Sequence, residues 1–137
     1  MKYLVMVRGT QTDYEAVRGT ASEASPAWTE EDRKAMFAHM GEINDELAKS
    51  GELIDAQGLL EPGRARTVTL GADGTAVVTD APYGPTEEVV AGYWVVECDS
   101  LERVTEIAER AARSPAPEGA PRHPVVIRPI MEGADEI

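Results

Sequence analysis

The sequence predicts an α+β domain of ferredoxin-like type, a βαββαβ chain with one added β-hairpin. Three observations carry that prediction. Strand-like apolar runs stand at residues 2–8, 53–60, 91–98 and 123–130. Two stretches with helical spacing fall after the first and third of them, and a Gly-rich turn near residue 72 interrupts the middle of the chain. Strand, helix, strand, hairpin, strand, helix, strand becomes βαββαβ once the hairpin is set aside.

Residues 2–8 (Lys-Tyr-Leu-Val-Met-Val-Arg) are rich in β-branched and aromatic side chains and read as a buried strand. Residues 9–28 carry Gly9, Gly19, Ser22, Ser25 and Pro26, which break any long period, so this stretch reads as a surface excursion with a short helix near 13–18. A helix should start at Thr29, where Thr29 and Asp32 can form a capping box and Glu30 and Glu31 favour the positive end of the helix dipole. Met36, Met40, Ile43 and Leu47 draw its apolar stripe, and Gly51 fits its stop. Gly71-Ala72-Asp73-Gly74 between residues 66–70 and 75–79 is a hairpin signal. A second turn-rich stretch, residues 80–85, leads to a helical turn at 86–89. Residues 91–98 form the strongest strand candidate, and Ser100 or Asp99 then caps a helix to about Arg113. Its stripe is Leu101, Val104, Ile107, Ala108 and Ala111. Residues 114–122, with three prolines, form a linker, residues 123–130 the last strand, and 132–137 an acidic tail.

A ferredoxin-like sheet has helices on one face only. Its other face needs a cover, and the sheet of a second subunit supplies one. Tyr93, Trp94 and their neighbours give that face something to bury, so a homodimer is expected.

At 137 residues the chain has the length of one domain, and 42% hydrophobic with 28% charged residues is a globular composition. A formal charge of −12 argues against nucleic acid and against an anionic membrane surface, both of which recruit clustered Lys and Arg. The longest apolar stretch, residues 89–96, is far short of the roughly 20 needed for a transmembrane helix. The first residues lack the pattern of a signal peptide, so a cytoplasmic location is expected. The single Cys98 allows no internal disulfide and should be inert in its apolar strand. His39 and His123 have no metal-ligand spacing, and no nucleotide-binding loop or hydrolase elbow is present, so neither metal nor cofactor is expected.

Several fragments occur in a telling order. They are Met1-Lys2-Tyr3-Leu4-Val5-Met6, Gly51-Glu52-Leu53 with Gly58-Leu59, Asp80-Ala81-Pro82-Tyr83, Thr86-Glu87-Glu88, Gly92-Tyr93 and Val126-Ile127-Arg128-Pro129-Ile130. Together they resemble the YCII-related, DGPF-motif domain family over residues 1–131, apart from the 9–28 excursion. The resemblance implies a ferredoxin-like fold that dimerises into an α/β barrel. It implies no single reaction: relatives in the wider superfamily include lactone isomerases, dehalogenases and small monooxygenases. Two departures matter. Ala81 stands for the signature glycine, so its backbone should avoid positive φ, and Pro85 stands where many members carry an acid.

Asp80 matches the aspartate of the motif and sits at a strand end, a position suited to general acid or base work or to a structural turn. Glu88 is a second proton carrier and Tyr83 a phenol donor to substrate; the bland readings are a solvated acid and a packing aromatic. His39 borders the apolar stripe of its helix, either as a catalytic imidazole or as a packing residue. Arg8 and Arg128 lie in strands, where each is an anion clamp or a structural ion partner. His123 opens the last strand and is expected at the surface. The reading is a dimer that binds a small organic molecule beside the 80–88 loop, with cofactor-independent acid–base chemistry of isomerase, lyase or dehalogenase type. The rival is a non-catalytic binding or accessory module in which residues 80–83 are a structural turn.

Overall fold

A computed structural model of the chain describes residues 1–137. Strands β1 (Lys2–Gly9), β2 (Leu53–Gly58), β5 (Val89–Glu97) and β6 (Val126–Pro129) form one antiparallel sheet in the order β2-β5-β1-β6. Helices α2 (Glu30–Ser50) and α3 (Leu101–Ala112) follow β1 and β5 and pack against each other and against the sheet. Strands β3 (Arg66–Leu70) and β4 (Ala76–Asp80) make a separate hairpin. This is the ferredoxin-like α+β arrangement with its added hairpin.

The capping signals do what their chemistry predicts. Thr29 and Asp32 form the reciprocal box at the start of α2, and Gly51 ends that helix with φ 77. Ser100 accepts from the Arg103 N–H at the start of α3. Ile43 and Leu47 of α2 join Tyr3, Val5, Trp94 and Val96 of the sheet and Val104, Ile107 and Ala111 of α3 in one core. Burying each of the larger aliphatic side chains is worth about 1.5–3 kcal/mol.

The faces of the sheet differ from expectation in one respect. Trp94 lies on the helix side, where its indole N–H donates to the Asn44 side chain at 2.6 Å. Alternation then turns Tyr93 and Val95, with Leu4, Met6 and Val126, to the uncovered face. Trp94 belongs there by composition but not by parity with the buried Val96.

Two bulges shape the strands. Ala91 is the extra residue where Val7 pairs with Gly92 and Arg8 with Val90, and Ile54 is the extra residue in β2. The last strand is shorter than residues 123–130. Pro121 and Pro124 flank His123, and a proline has no N–H to give a ladder and restricts the residue before it. Residues 86–89 make no helical turn: Glu87 N–H closes one tight turn on Gly84 O at 3.2 Å, and the chain then extends into β5.

Ala81 overturns its expectation. It adopts φ 47, the left-handed region it was expected to avoid. The reason is local: Ala81 N–H must reach Ala65 O at 2.9 Å to close the base of the hairpin, just beyond the Arg66–Asp80 pair. A Cβ in that region costs about 1 kcal/mol. Ala81→Gly is therefore expected to raise stability by roughly 0.5–1 kcal/mol, read as a higher urea midpoint at unchanged slope.

Residues 9–28 are more than a surface excursion. Helix α1 (Gln11–Val17) is capped by Thr10 and Asp13, Ala16 is fully buried, and the Tyr14 hydroxyl donates to Leu59 O at 2.8 Å and to Ala91 O at 3.2 Å. Arg33 of α2 donates to Val17 O and Trp28 O, so the end of α1 and the end of the segment are both tied to α2. No helix is long and apolar enough to cross a membrane.

Candidate functional site

Where β1 ends and β5 begins, three side chains meet that lie far apart in sequence. His123 Nε2 lies 2.6 Å from Asp13 Oδ2, and His123 Nδ1 lies 3.0 Å from Glu88 Oε1. The side chains of His123 and Asp13 are only 17% and 21% exposed, while that of Glu88 is 41% exposed. The cluster thus has a sheltered dyad and one solvent-side carboxylate.

Each member is placed by a different element. Asp13 sits at the third position of α1, and its Oδ2 also accepts the Thr10 N–H at 2.9 Å. Thr10 is buried, and its hydroxyl oxygen accepts in turn from Asp13 N–H, so the capping box that starts α1 also fixes the carboxylate. His123 is delivered by the proline-rich linker, which Arg122 ties to the end of α3 through Ala112 O and Ser114 O. Glu88 is the last residue before β5, and its carbonyl accepts from Arg8 Nη2 at 2.8 Å. The 80–88 loop is held to α1 as well, since Pro85 O accepts from Thr12 N–H at 3.1 Å.

Hydrogen-bond accounting limits the chemistry. Only Nε2 is in hydrogen-bond geometry with its carboxylate, that of Asp13; Nδ1 and Glu88 Oε1 are close in space without a hydrogen bond between them. Asp13 orients the ring through Nε2, and Nδ1 is the nitrogen on the side of the more exposed Glu88. No set of three or more His, Cys, Asp or Glu side chains is arranged to hold a metal ion.

A groove of about 420 Å³ opens beside this end of the sheet, lined by Leu59, Leu60, Pro62, Tyr83, Val89 and Val90 among others. The Tyr14 hydroxyl bonds the backbone of one lining residue, Leu59; burial, and then the nearby charge of Glu61, push its phenol up from its usual value of 10.0. Glu61 accepts from Gln11 and pairs with Arg18 at 2.7 Å, and these bonds hold its carboxyl below the usual range.

Of the residues singled out from sequence, the structure brings Glu88 and Arg8 together and puts Tyr83 in the groove. Asp80 stands apart, 72% exposed at the foot of the hairpin, with Arg66 Nε 2.6 Å from its carboxylate. His39 Nε2 meets Arg110 O at 2.7 Å and ties α2 to α3. Arg128 is exposed on β6 opposite Leu4. His123 is the main correction: it is not a surface residue but the centre of the cluster. Asp13 drew no attention in the sequence. The Thr10-x-x-Asp13 spacing is a capping signal, and it was the legible trace of an ordered carboxylate.

The geometry defines a ferredoxin-like protein with a histidine held between two carboxylates at one end of its sheet. Residues 1–122 match the YCII-related domain, and the chain belongs to that family. It is also 24% identical over 82 residues to an uncharacterized protein of Rhizobium meliloti (strain 1021), a match spanning 60% of this chain and 65% of that one.

Proposed function

We propose that the protein binds a small organic molecule at the His123 cluster and moves a proton on it without a cofactor, as in an isomerase, a lyase or a dehalogenase. The observation that carries this reading is the sheltered Asp13–His123 contact of 2.6 Å with the second ring nitrogen turned to the more exposed Glu88. Nδ1 gives or takes the proton, and Asp13 holds the ring through Nε2 and balances its charge. Tyr83 and the apolar groove wall contact the body of the substrate, and Arg8 lies within reach of its polar end. Asp80, His39 and Arg128 act structurally in this scheme. The Asp80-Ala81-Pro82-Tyr83 segment, this chain's version of the DGPF signature, is a turn that closes the hairpin.

The test is solvent deuterium incorporation, followed by proton NMR, into a panel of small lactones and enolisable oxo-acids. Wild-type protein should catalyse exchange on at least one of them. His123→Gln should lower that rate by about 10²-fold or more, while Asp80→Asn and His39→Gln retain it. Equal exchange in His123→Gln would remove the assignment.

A homodimer is part of the same reading. Leu4, Met6, Tyr93, Val95 and Val126 leave the uncovered sheet face apolar at its centre, with Arg128 near its edge. The hairpin adds Val68, Leu70 and Val78, all well exposed on one of its faces. A second sheet would bury both and close an α/β barrel, and sedimentation at twice the 14.8 kDa chain mass is expected. A cytoplasmic location fits the free, buried Cys98.

A further inference from the structure

We infer that the groove beside the sheet end binds an anionic amphiphile, a carboxylate on an apolar body, and that Arg64 is the residue that selects its charge. The inference rests on the proposed reading only for the groove's part in holding a substrate. It names the class of that substrate and makes no use of the proton transfer.

The wall of the groove is apolar and open. Leu60 is 71% exposed, and Leu59, Tyr83 and Val90 are 40%, 38% and 39% exposed. Single apolar residues on a surface are ordinary, but these come from separate stretches of the chain and line one hollow of about 420 Å³. Side chains of α1 brace it. The Tyr14 hydroxyl donates to Leu59 O and Ala91 O, while Gln11 donates to Glu61 Oε2 at 2.9 Å and accepts from Gly63 N–H at 2.7 Å. The wall from residue 59 to 63 is therefore shaped before any ligand arrives, which lowers the ordering cost of binding.

The charge of the groove is as specific as its shape. Its titratable lining residues are Glu61, Arg64 and Tyr83. Glu61 is engaged: its Oε2 accepts from Gln11 and lies 2.7 Å from Arg18 Nη2. Arg66, two residues beyond Arg64, is engaged as well, by the Asp80 carboxylate. Arg64 differs. Its backbone N–H closes the short 3₁₀ turn Pro62–Arg64 on Glu61 O at 3.0 Å, but its exposed guanidinium makes no hydrogen bond and no ion pair. The Tyr83 hydroxyl is likewise unbonded. The free donors that line the groove are thus a planar cationic fork, which matches a carboxylate bidentately, and a phenol. On a chain of formal charge −12, this free cation sets a local preference for anions against the field of the whole molecule.

The experiment is calorimetric titration of the full chain at pH 7 with sodium octanoate, with octanamide as the uncharged match and octylamine as the cationic one. Octanoate should bind about tenfold more tightly than either, although the negative chain as a whole favours the amine. Arg64→Gln should remove that preference by weakening octanoate about tenfold, with Arg64→Lys between the two. Arg66→Gln, at a cation already paired, should change octanoate binding less than about twofold. Leu60→Asn should weaken octanoate and octanamide alike, since it touches the apolar wall and not the charge. Thermal melts check that each variant is folded, and the Lys variant keeps the test open if Gln is not tolerated. Equal affinity for the three probes, or equal losses in Arg64→Gln and Arg66→Gln, overturns the inference. So does wild-type protein that binds none of them while Leu60→Asp converts a dimer to a monomer, which would give the groove to a second copy. Anion-selective binding that survives His123→Gln, with no deuterium exchange in wild type, would keep the groove site and retire the catalytic reading. His123-dependent exchange with no octanoate binding would do the reverse.

Discussion

Gly92→Ala is expected to destabilise the protein by about 3 kcal/mol, the loss that overpacking against an unyielding neighbour produces. A Cβ built on Gly92 would lie 2.9 Å from the backbone oxygen of Gln57 and 3.5 Å from Gly58 Cα. Neither atom belongs to a flexible side chain, so β2 itself must shift. The close approach has a local cause, the extra residue Ala91 just before Gly92. Ala91 O accepts from Leu59 N–H at 2.8 Å and from the Tyr14 hydroxyl, so displacing β2 also loosens the seat of α1 and with it Asp13. The variant should melt roughly 10 °C lower than wild type and weaken any ligand binding at the cluster. Gly58→Ala is the control: Gly58 pairs with Gly92, but a Cβ there meets nothing within 4 Å. Its cost should stay below about 1 kcal/mol. Similar losses in both variants would show that β propensity, not the Gln57 contact, decides the matter.

What the residues disclosed in advance was local chemistry. Thr29 and Asp32, Ser100, Gly51 and the Gly71–Gly74 turn each satisfy nearby backbone groups, so their roles follow from spacing alone. The stripe through Ile43 and Leu47 and the stripe through Val104, Ile107 and Ala111 likewise follow from the helical repeat. The order of elements then narrows the topology to few choices. The cluster was less legible because its members are 110 residues apart at the extreme, and only the antiparallel pairing of β1 with both β5 and β6 brings them together. Asp80 drew attention as a carboxylate in a motif, yet register sets it opposite Arg66, a partner the alternation of the hairpin could have supplied. Trp94 shows the limit of period-2 reasoning, which sorts residues into two faces without saying which face the helices cover. Ala81 shows another: residue type biases φ, but a closing hydrogen bond can outweigh about 1 kcal/mol of strain.

Glu52→Gln is expected to cost about 2 kcal/mol at pH 7, and the cost should vanish in acid. Glu52 lies between α2 and β2, and Arg103 of α3 grips both its oxygens, with Nη2 at 2.8 Å and Nε at 2.9 Å. The Ser50 hydroxyl adds a third bond at 2.7 Å. The Arg103 bonds are the largest influence on the carboxyl, opposed by burial and aided by Ser50, and hold it down to about 2 from its ordinary 4.5. Arg103 is pushed up in turn, chiefly by the same contact. Burial, with the neighbouring Glu52 carboxylate, lifts the Cys98 thiol to about 11, so that sulfur stays protonated and unreactive. A carboxyl whose folded value lies below its unfolded value contributes its stabilisation above the unfolded value and loses it as pH falls through the folded one. The full linkage of that depression would be roughly 3 kcal/mol, and solvent screening of the partly exposed pair reduces it to about 2. Urea midpoints of wild type and Glu52→Gln should therefore differ by a constant amount from pH 7 down to about 5, then converge between pH 4.5 and 2. Other carboxylates titrate over the same range in both proteins, so the difference between the two curves, and not either curve alone, reports Glu52. A gap that persists unchanged at pH 2 would mean that the loss comes from the amide's poorer fit to its Arg103 and Ser50 partners and not from the charge of the carboxylate.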